Sequence, residues 1–411
     1  MMRRQSGPLI HPPFRPRASE GFFFDPTIYV LAGIHFVVDS YGNIYAPLLP
    51  LLLPHLGMSL AVAGTLTMVY QMAASMSQLG FGHLADRWRP RLQLVAGPVL
   101  GVVVLSLIGL PRTVWQLGLV LVVGGLGGAA FHPPGAALVG RLGGERRGMA
   151  MALHIAAGSA GVAFGPLLAA PLIGHLGLAW TPVLAIPGCI AVAPLLMRVP
   201  PIVVERNEAA HEGIAVLKPY ARPLSRLYVI VALRTLVWLS FLTFLPVLLT
   251  ERGESVSLAG VTIAIFLASA CVGGLIGGAM ADRFGPRTVI LTTLLGAVPL
   301  LTALPLAGHW ELLPMLFLGG MLLQATLPVT VTFAQTIAPV RTATVSSLMM
   351  GFGWGLGALL VPLVGVLGDR IGIAPTLAVV AGVLPLAALF ALGLPRGVLP
   401  SVPRGQVWYD R

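Results

Sequence analysis

The chain has 411 residues, of which 56% are hydrophobic and only 9% charged, and it carries a formal net charge of +11. Soluble domains carry about 25% charged residues, so this composition excludes a soluble globular protein and defines a polytopic membrane protein. Two cysteines, Cys189 and Cys271, lie inside apolar runs, which excludes a disulfide framework or CxxC chemistry.

Residues 1–26 are rich in Arg and Pro and lack a continuous apolar h-region, so they read as a cytoplasmic tail and not as a cleaved signal. Phe22, Phe23 and Phe24 are placed to meet the membrane interface. Hydrophobic runs then recur with short polar gaps, near 27–53, 61–83, 92–110, 115–140, 149–172 and 176–197. A second set falls near 225–249, 257–280, 288–307, 312–336, 343–366 and 374–394. The organisation expected is an N-terminal six-helix bundle over 27–197, a charged cytoplasmic linker over 198–224, a C-terminal six-helix bundle over 225–395 and a cytoplasmic tail over 396–411.

The basic residues orient these spans. All but five of the 25 Lys and Arg fall in the tails, the linker and the even-numbered gaps; the exceptions are Arg112, Arg252 and Arg370 in the opposite loops, Arg226 at the linker edge of the seventh run and Arg234 inside it. That asymmetry predicts cytoplasmic termini and explains the positive charge without a nucleic-acid partner.

The first run holds the one acidic residue placed deep in a hydrophobic segment. His35, Asp39 and Asn43 are spaced i, i+4, i+8 and share a helical face. A carboxylate at bilayer depth costs roughly 2.5–3.5 kcal/mol on insertion scales, so it requires a partner, water or a task. The preferred task for Asp39 is carrying a proton or facing a substrate path; satisfaction by a neighbouring helix is the plainer alternative.

Internal repetition is the next signal. An offset of 196 places Pro50 on Pro246, Gly64 on Gly260, Gly82 on Gly278, Gly124 on Gly320, Gly161 on Gly357 and Pro166 on Pro362. It also places Ala85-Asp86-Arg87 on Ala281-Asp282-Arg283. One constant offset over five helices identifies two parallel six-helix repeats.

The paired gaps from Gly82 to Arg91 and from Gly278 to Arg287 resemble the motif that follows helices two and eight of the major facilitator superfamily. The first copy departs from it with Arg89 and Pro90, where a glycine and a basic residue are usual. More narrowly, His35-Phe36-x-x-Asp39, Ala130-Phe131-His132-Pro133 and the stretch from Gly165 to Ala170 resemble the fosmidomycin resistance subfamily of exporters. The resemblance implies the major facilitator fold: an all-α membrane protein of twelve transmembrane helices in two pseudo-symmetric bundles. It also implies that Gly82, Asp86, Arg87, Gly278, Asp282 and Arg283 act as a conformational latch at the cytoplasmic face; the plainer alternative is that these charges only anchor topology. Gly161, Gly165 and Pro166 on helix five resemble an antiporter motif, with Ala152, Ala169 and Ala170 where glycines are usual. One feature of proton antiporters is missing: the stretch from Trp115 to Gly128 has no arginine.

His132, followed by Pro133 and Pro134, reads either as a relay or ligand, or as a neutral imidazole bonded to a carbonyl freed by the prolines. His154 reads as structural. The offset sends Val38 to Arg234 and Asp39 to Thr235, so Asp39 and Arg234 are expected at similar depth across a central cavity, as a switchable pair. Gln71, Ser75 and Gln78 on helix two, Thr326 and Thr330 on helix ten, and Trp238, Phe241 and Trp354 complete a sketch of that cavity. Its expected substrate-binding residues are Arg234, Asn43, Gln71, Trp238, Thr330 and Trp354, and its expected proton-coupling residues are Asp39, His35 and His132.

The sequence therefore predicts a secondary transporter of the cytoplasmic (inner) membrane, exporting a small amphipathic or anionic organic compound in exchange for protons. Proton-coupled uptake of an organic anion is the rival within transport; an intramembrane enzyme and a non-transporting receptor are rivals outside it. No Walker A sequence, HExxH or GxSxG is present, so no enzyme activity, cofactor or metal is expected. The partners expected are a small-molecule substrate, protons and the lipid bilayer, with the chain acting as a monomer.

Overall fold

The structure, a computed structural model, describes residues 24–85, 90–199, 214–339, 345–346 and 348–395. Both tails before residue 24 and after 395, most of the linker, and Asp86 and Arg87 of the expected latch lie outside the described residues.

Twelve membrane-crossing segments follow one another. They are α1 (Pro26–Leu56), α2 (60–85), α3 (Pro90–Leu105), α4 (Val114–Leu142), α5 (Arg147–Leu176) and α6 (Leu178–Leu196). The second set is α7 (Ala221–Glu251), α8 (Val256–Phe284), α9 (Pro286–Ala303), α10 (His309–Ile337), α11 (Leu348–Ile371) and α12 (Ile373–Leu392). No strand occurs among the described residues. In lipid every backbone N–H and C=O must be satisfied within its own segment, which helices alone achieve without closing a barrel.

Local sequence sets the helix limits. The Asp25 side chain accepts from Thr27 N at 2.8 Å with Pro26 in the first turn, and Ser59, Thr113 and Ser255 cap α2, α4 and α8 in the same way. α1 is interrupted at Asn43-Ile44. Pro47 lies four residues after Asn43, so it has no N–H for the Asn43 carbonyl and its ring crowds that carbonyl. The expected single face of His35, Asp39 and Asn43 thus ends at Asn43, which caps the first segment of α1.

The repeats are visible in the packing. α1 packs on α5 and α7 on α11; α3 packs on α4 and α9 on α10; α3 packs on α6 and α9 on α12. At atomic level, a β-carbon on Gly161 would meet the Phe36 carbonyl oxygen at 2.1 Å, and one on Gly357, its equivalent, would meet the Ala232 carbonyl oxygen at 2.8 Å. Residues 36 and 232 are themselves related by the offset.

The two bundles join through α2 with α11 and α5 with α8. At the end opposite the Arg-rich turns, the Asp369 carboxylate of α11 accepts from Leu60 N at 2.8 Å and Ala61 N at 3.0 Å, and so caps α2 across the bundle interface. Nearer mid-span, the Thr67 and Thr243 hydroxyls lie 3.2 Å apart in a buried α2–α7 contact. Both α2 and α11 contain a wide π turn, at Met72–Met76 and Leu348–Phe352. Just beyond the second, Gly355 faces the side chains of Met72 and Met76.

Candidate functional site

The first bundle gathers three ionisable side chains at mid-span. Asp39 Oδ2 lies 3.2 Å from His35 Nε2, one turn back on α1, and Asp39 Oδ1 lies 3.5 Å from His132 Nε2 on α4. All three are only partly buried, with side-chain exposures of 12% for His35, 19% for Asp39 and 26% for His132. The His35 and His132 rings meet edge-on at 5.1 Å, and Phe131 packs beside both.

His35 is held from behind by α5. Its Nδ1 lies 2.8 Å from the His154 carbonyl oxygen, and the two rings pack at 4.2 Å. A carbonyl oxygen only accepts, so Nδ1 carries the hydrogen and Nε2 is left to face Asp39. An Nε2 lone pair against a carboxylate oxygen is repulsive unless a positive species lies between them. The pair is therefore shaped to hold a proton or another cation between its two acceptor atoms.

α5 approaches closely enough for this only because of its glycines. A β-carbon on Gly158 would stand 2.5 Å from His35 Nε2 and 2.8 Å from Asp39 Oδ2, and one on Gly165 would stand 2.1 Å from the Ser40 carbonyl oxygen. The expected helix-five motif of Gly161, Gly165 and Pro166 is buried here; Gly161 and Gly165 form the surface on which α1 rests, and the Pro166 carbonyl faces Gly260 of α8.

The second bundle holds a different arrangement at the equivalent place. Arg234 of α7 is fully buried. Its guanidinium donates to Gln324 Oε1 on α10 and to Thr235 Oγ1 at 3.2 Å, and lies 5.6 Å from the centre of the Trp354 ring on α11. Its Nε is buried without a hydrogen-bond partner. No carboxylate forms an ion pair with it among the described residues, and in this structure the members of the expected switchable pair, Asp39 and Arg234, are not in contact. Asp39 is engaged by the two histidines of its own bundle, and Arg234 by the amide and indole of its own.

The offset explains how each cluster was built. Val38 lies against Gly128 in the first bundle, and these two positions become Arg234 and Gln324 in the second. Gly158, which leaves room beside His35 and Asp39, becomes Trp354 beside Arg234. One scaffold thus carries an acid–imidazole cluster in one half and a cation–amide–indole cluster in the other.

The remaining expected residues are placed as follows. Asn43 donates through Nδ2 to the Asp39 backbone carbonyl at 2.9 Å, and Gln71 donates to Ser75 Oγ at 2.7 Å. Trp238 is buried and stacked on Phe266 at 4.1 Å, inside the α7–α8 contact. Thr330 is buried as well, its hydroxyl hydrogen donated to the Leu327 carbonyl at 3.0 Å, which leaves its oxygen only as an acceptor. At the basic end, Gly82 lies near Pro133, Gly278 faces open space, Asp282 is exposed, and the Arg283 guanidinium sits 5.2 Å from the Phe284 ring centre. Three participants were missed in the sequence. Gln324 had a signal, a lone amide inside an apolar run. Asp369 had only its place in a short gap, and the His154 carbonyl had none.

Two parallel six-helix repeats, each with an ionisable group at mid-span, define a membrane transporter. Residues 31–255 and 227–406 match the Major Facilitator Superfamily, and the chain belongs to that superfamily. Among curated proteins it is 29% identical to the uncharacterized MFS-type transporter YfnC of Bacillus subtilis (strain 168), over 94% of this chain and 95% of that one. It is 27% identical to the fosmidomycin resistance protein of Escherichia coli (strain K12), over 88% of this chain and 90% of that one. Among solved structures, a bacterial homologue of the human lysosomal transporter Spinster, inward-facing and occupied, superposes with a TM-score of 0.77 at 17% identity, covering 89% of this chain and 95% of that one. A mutant form of the nucleoside transporter NupG superposes with a TM-score of 0.76 at 15% identity, covering 89% of this chain and 99% of that one.

Proposed function

We propose that this protein is a proton-coupled exporter of a small amphipathic or anionic organic compound, working by alternating access in the cytoplasmic membrane with both termini in the cytoplasm. The observation that carries the reading is the cluster of Asp39 with His35 and His132, at 3.2 and 3.5 Å and partly exposed in one bundle, while a buried Arg234 with no acidic partner among the described residues lies in the other. Asp39 takes and releases the proton, His35 and His132 relay it, and Arg234 with Gln324 and Trp354 anchors the anionic or aromatic part of the substrate. The relative named for fosmidomycin resistance supports export over uptake, as does the small-residue face of α5.

The test is Asp39→Asn, close in shape but unable to ionise. In proteoliposomes the variant should lose accumulation driven by a proton gradient and keep substrate-for-substrate exchange, because alternating access itself needs no proton there. Loss of both activities in a folded protein makes Asp39 structural. Unchanged gradient-driven transport moves the proton site to His35 or His132, and accumulation only in the opposite direction replaces export with uptake.

A further inference from the structure

We infer that His35, Asp39 and His132 form a binding site for one divalent first-row transition-metal ion of the Zn2+ type. Two imidazole nitrogens and a carboxylate are a donor set suited to such ions, and a site with three protein ligands leaves a position open for water or another oxygen. The three donor atoms all lie within 4.8 Å of one another. Bonds of about 2.0–2.2 Å in a tetrahedral set hold neighbouring ligand atoms about 3.4 Å apart. Asp39 reaches His35 Nε2 through Oδ2 at 3.2 Å and His132 Nε2 through Oδ1 at 3.5 Å, both near that spacing, and a rotation of the carboxylate and of the His132 ring on α4 brings one oxygen and both nitrogens around a single ion.

Two further observations point to a cation. His35 gives its Nδ1 hydrogen to the His154 backbone carbonyl at 2.8 Å, the outer contact that fixes a metal-binding imidazole with its Nε2 lone pair forward. The space in front of that lone pair is kept clear, because the residue facing it is Gly158, where a β-carbon would stand 2.5 Å from Nε2 and 2.8 Å from the carboxylate. The His154 ring completes the wall, and its Nδ1 is buried with no partner. An ion held here occupies the carboxylate that the transport reading gives to the proton, so the metal competes with coupling.

The binding inference stands on donor geometry and is measured without a gradient or a substrate, so its failure is separable from failure of the transport reading. The untagged full-length protein in detergent is titrated with Co2+ as a spectroscopic probe and with Zn2+ as its competitor. Expected are one saturable site per chain, visible absorption of the four- or five-coordinate type without a thiolate band, and displacement of Co2+ by Zn2+. Asp39→Asn and His132→Gln should each weaken Zn2+ binding by at least about tenfold, whereas His83→Gln and His175→Gln, outside the cluster, should leave it unchanged. Zn2+ should also raise the thermal midpoint of the wild type and not of the Asp39 variant. A six-coordinate aqua-type spectrum, a thiolate band from Cys189 or Cys271, or a site that survives both cluster variants overturns the assignment. The wild-type spectrum decides the matter even where a variant fails to fold.

Discussion

Replacing Asp369 by alanine removes the cap that α11 places on α2 across the bundle interface. The carboxylate accepts from two successive backbone N–H groups, at 2.8 and 3.0 Å, and both are free donors of a first helical turn. Loss of a side-chain cap costs about 0.5–2 kcal/mol, and the exposed position of Asp369 keeps the cost from exceeding that range. Because this contact forms only when the two bundles meet at that end, the cost falls on the closed state. At 1.4 kcal/mol per factor of ten, the closed population should fall relative to the open one by about 2- to 30-fold. Spin labels on Leu56 and Ile371, with both native cysteines replaced by serine, report the separation of those ends. Asp369→Ala should shift the distance distribution toward longer values, and Asp369→Asn, which keeps one acceptor oxygen, should fall between. A distribution unchanged in Asp369→Ala would refute the idea that this cap contributes to closure.

Gly165→Ala forces a β-carbon onto the Ser40 carbonyl, where backbone cannot step aside as a side chain can. Overpacking of this kind costs about 1–3 kcal/mol, read as a lower thermal midpoint in detergent. Arg234→Ala should weaken binding of anionic compounds more than of neutral analogues, with Arg234→Lys rescuing only partly, because an ammonium lacks the planar fork that pairs with Gln324 and lies near the Trp354 ring; equal loss for both classes in a binding assay makes the residue structural. Single cysteines placed in the 198–223 segment should resist an impermeant thiol reagent in intact cells, and labelling from outside overturns the assigned orientation.

Much of the architecture was legible because it is written in hydropathy. Twelve apolar runs, and one offset that maps Gly161 onto Gly357, fix the spans and the repeats before any contact is known. The break after Gly42 was encoded too, in Pro47, although the helical spacing of Asn43 suggested continuity. Partnerships across helices were less legible. Asp39 and Arg234 stand at similar depth, but depth does not fix the direction in which a side chain points, and each charge found polar groups in its own bundle. Trp238 and Thr330 illustrate the same limit: a polar or aromatic residue on an apolar helix serves a helix contact as readily as a cavity wall. The support of His35 by the His154 carbonyl was beyond reach, since a backbone oxygen leaves no mark in a pattern of side chains.

The π turns of α2 and α11 change how the halves of the protein can move. Each inserts an extra residue into one turn, so that the regular i to i−4 ladder is interrupted and the helix has a joint there. The two jointed helices are also the pair tied together at one end by Asp369. α2, tied at its tip by Asp369 and jointed near its middle, swings its arm from 77 to 85 without releasing the tip. The basic end of α2 can therefore part from α11 by bending while the opposite ends stay tied, so access on one side need not wait for rotation of whole bundles. Amide exchange at 72–76 should then outpace that of the turns on either side, and equal protection throughout would restore the picture of two rigid bodies.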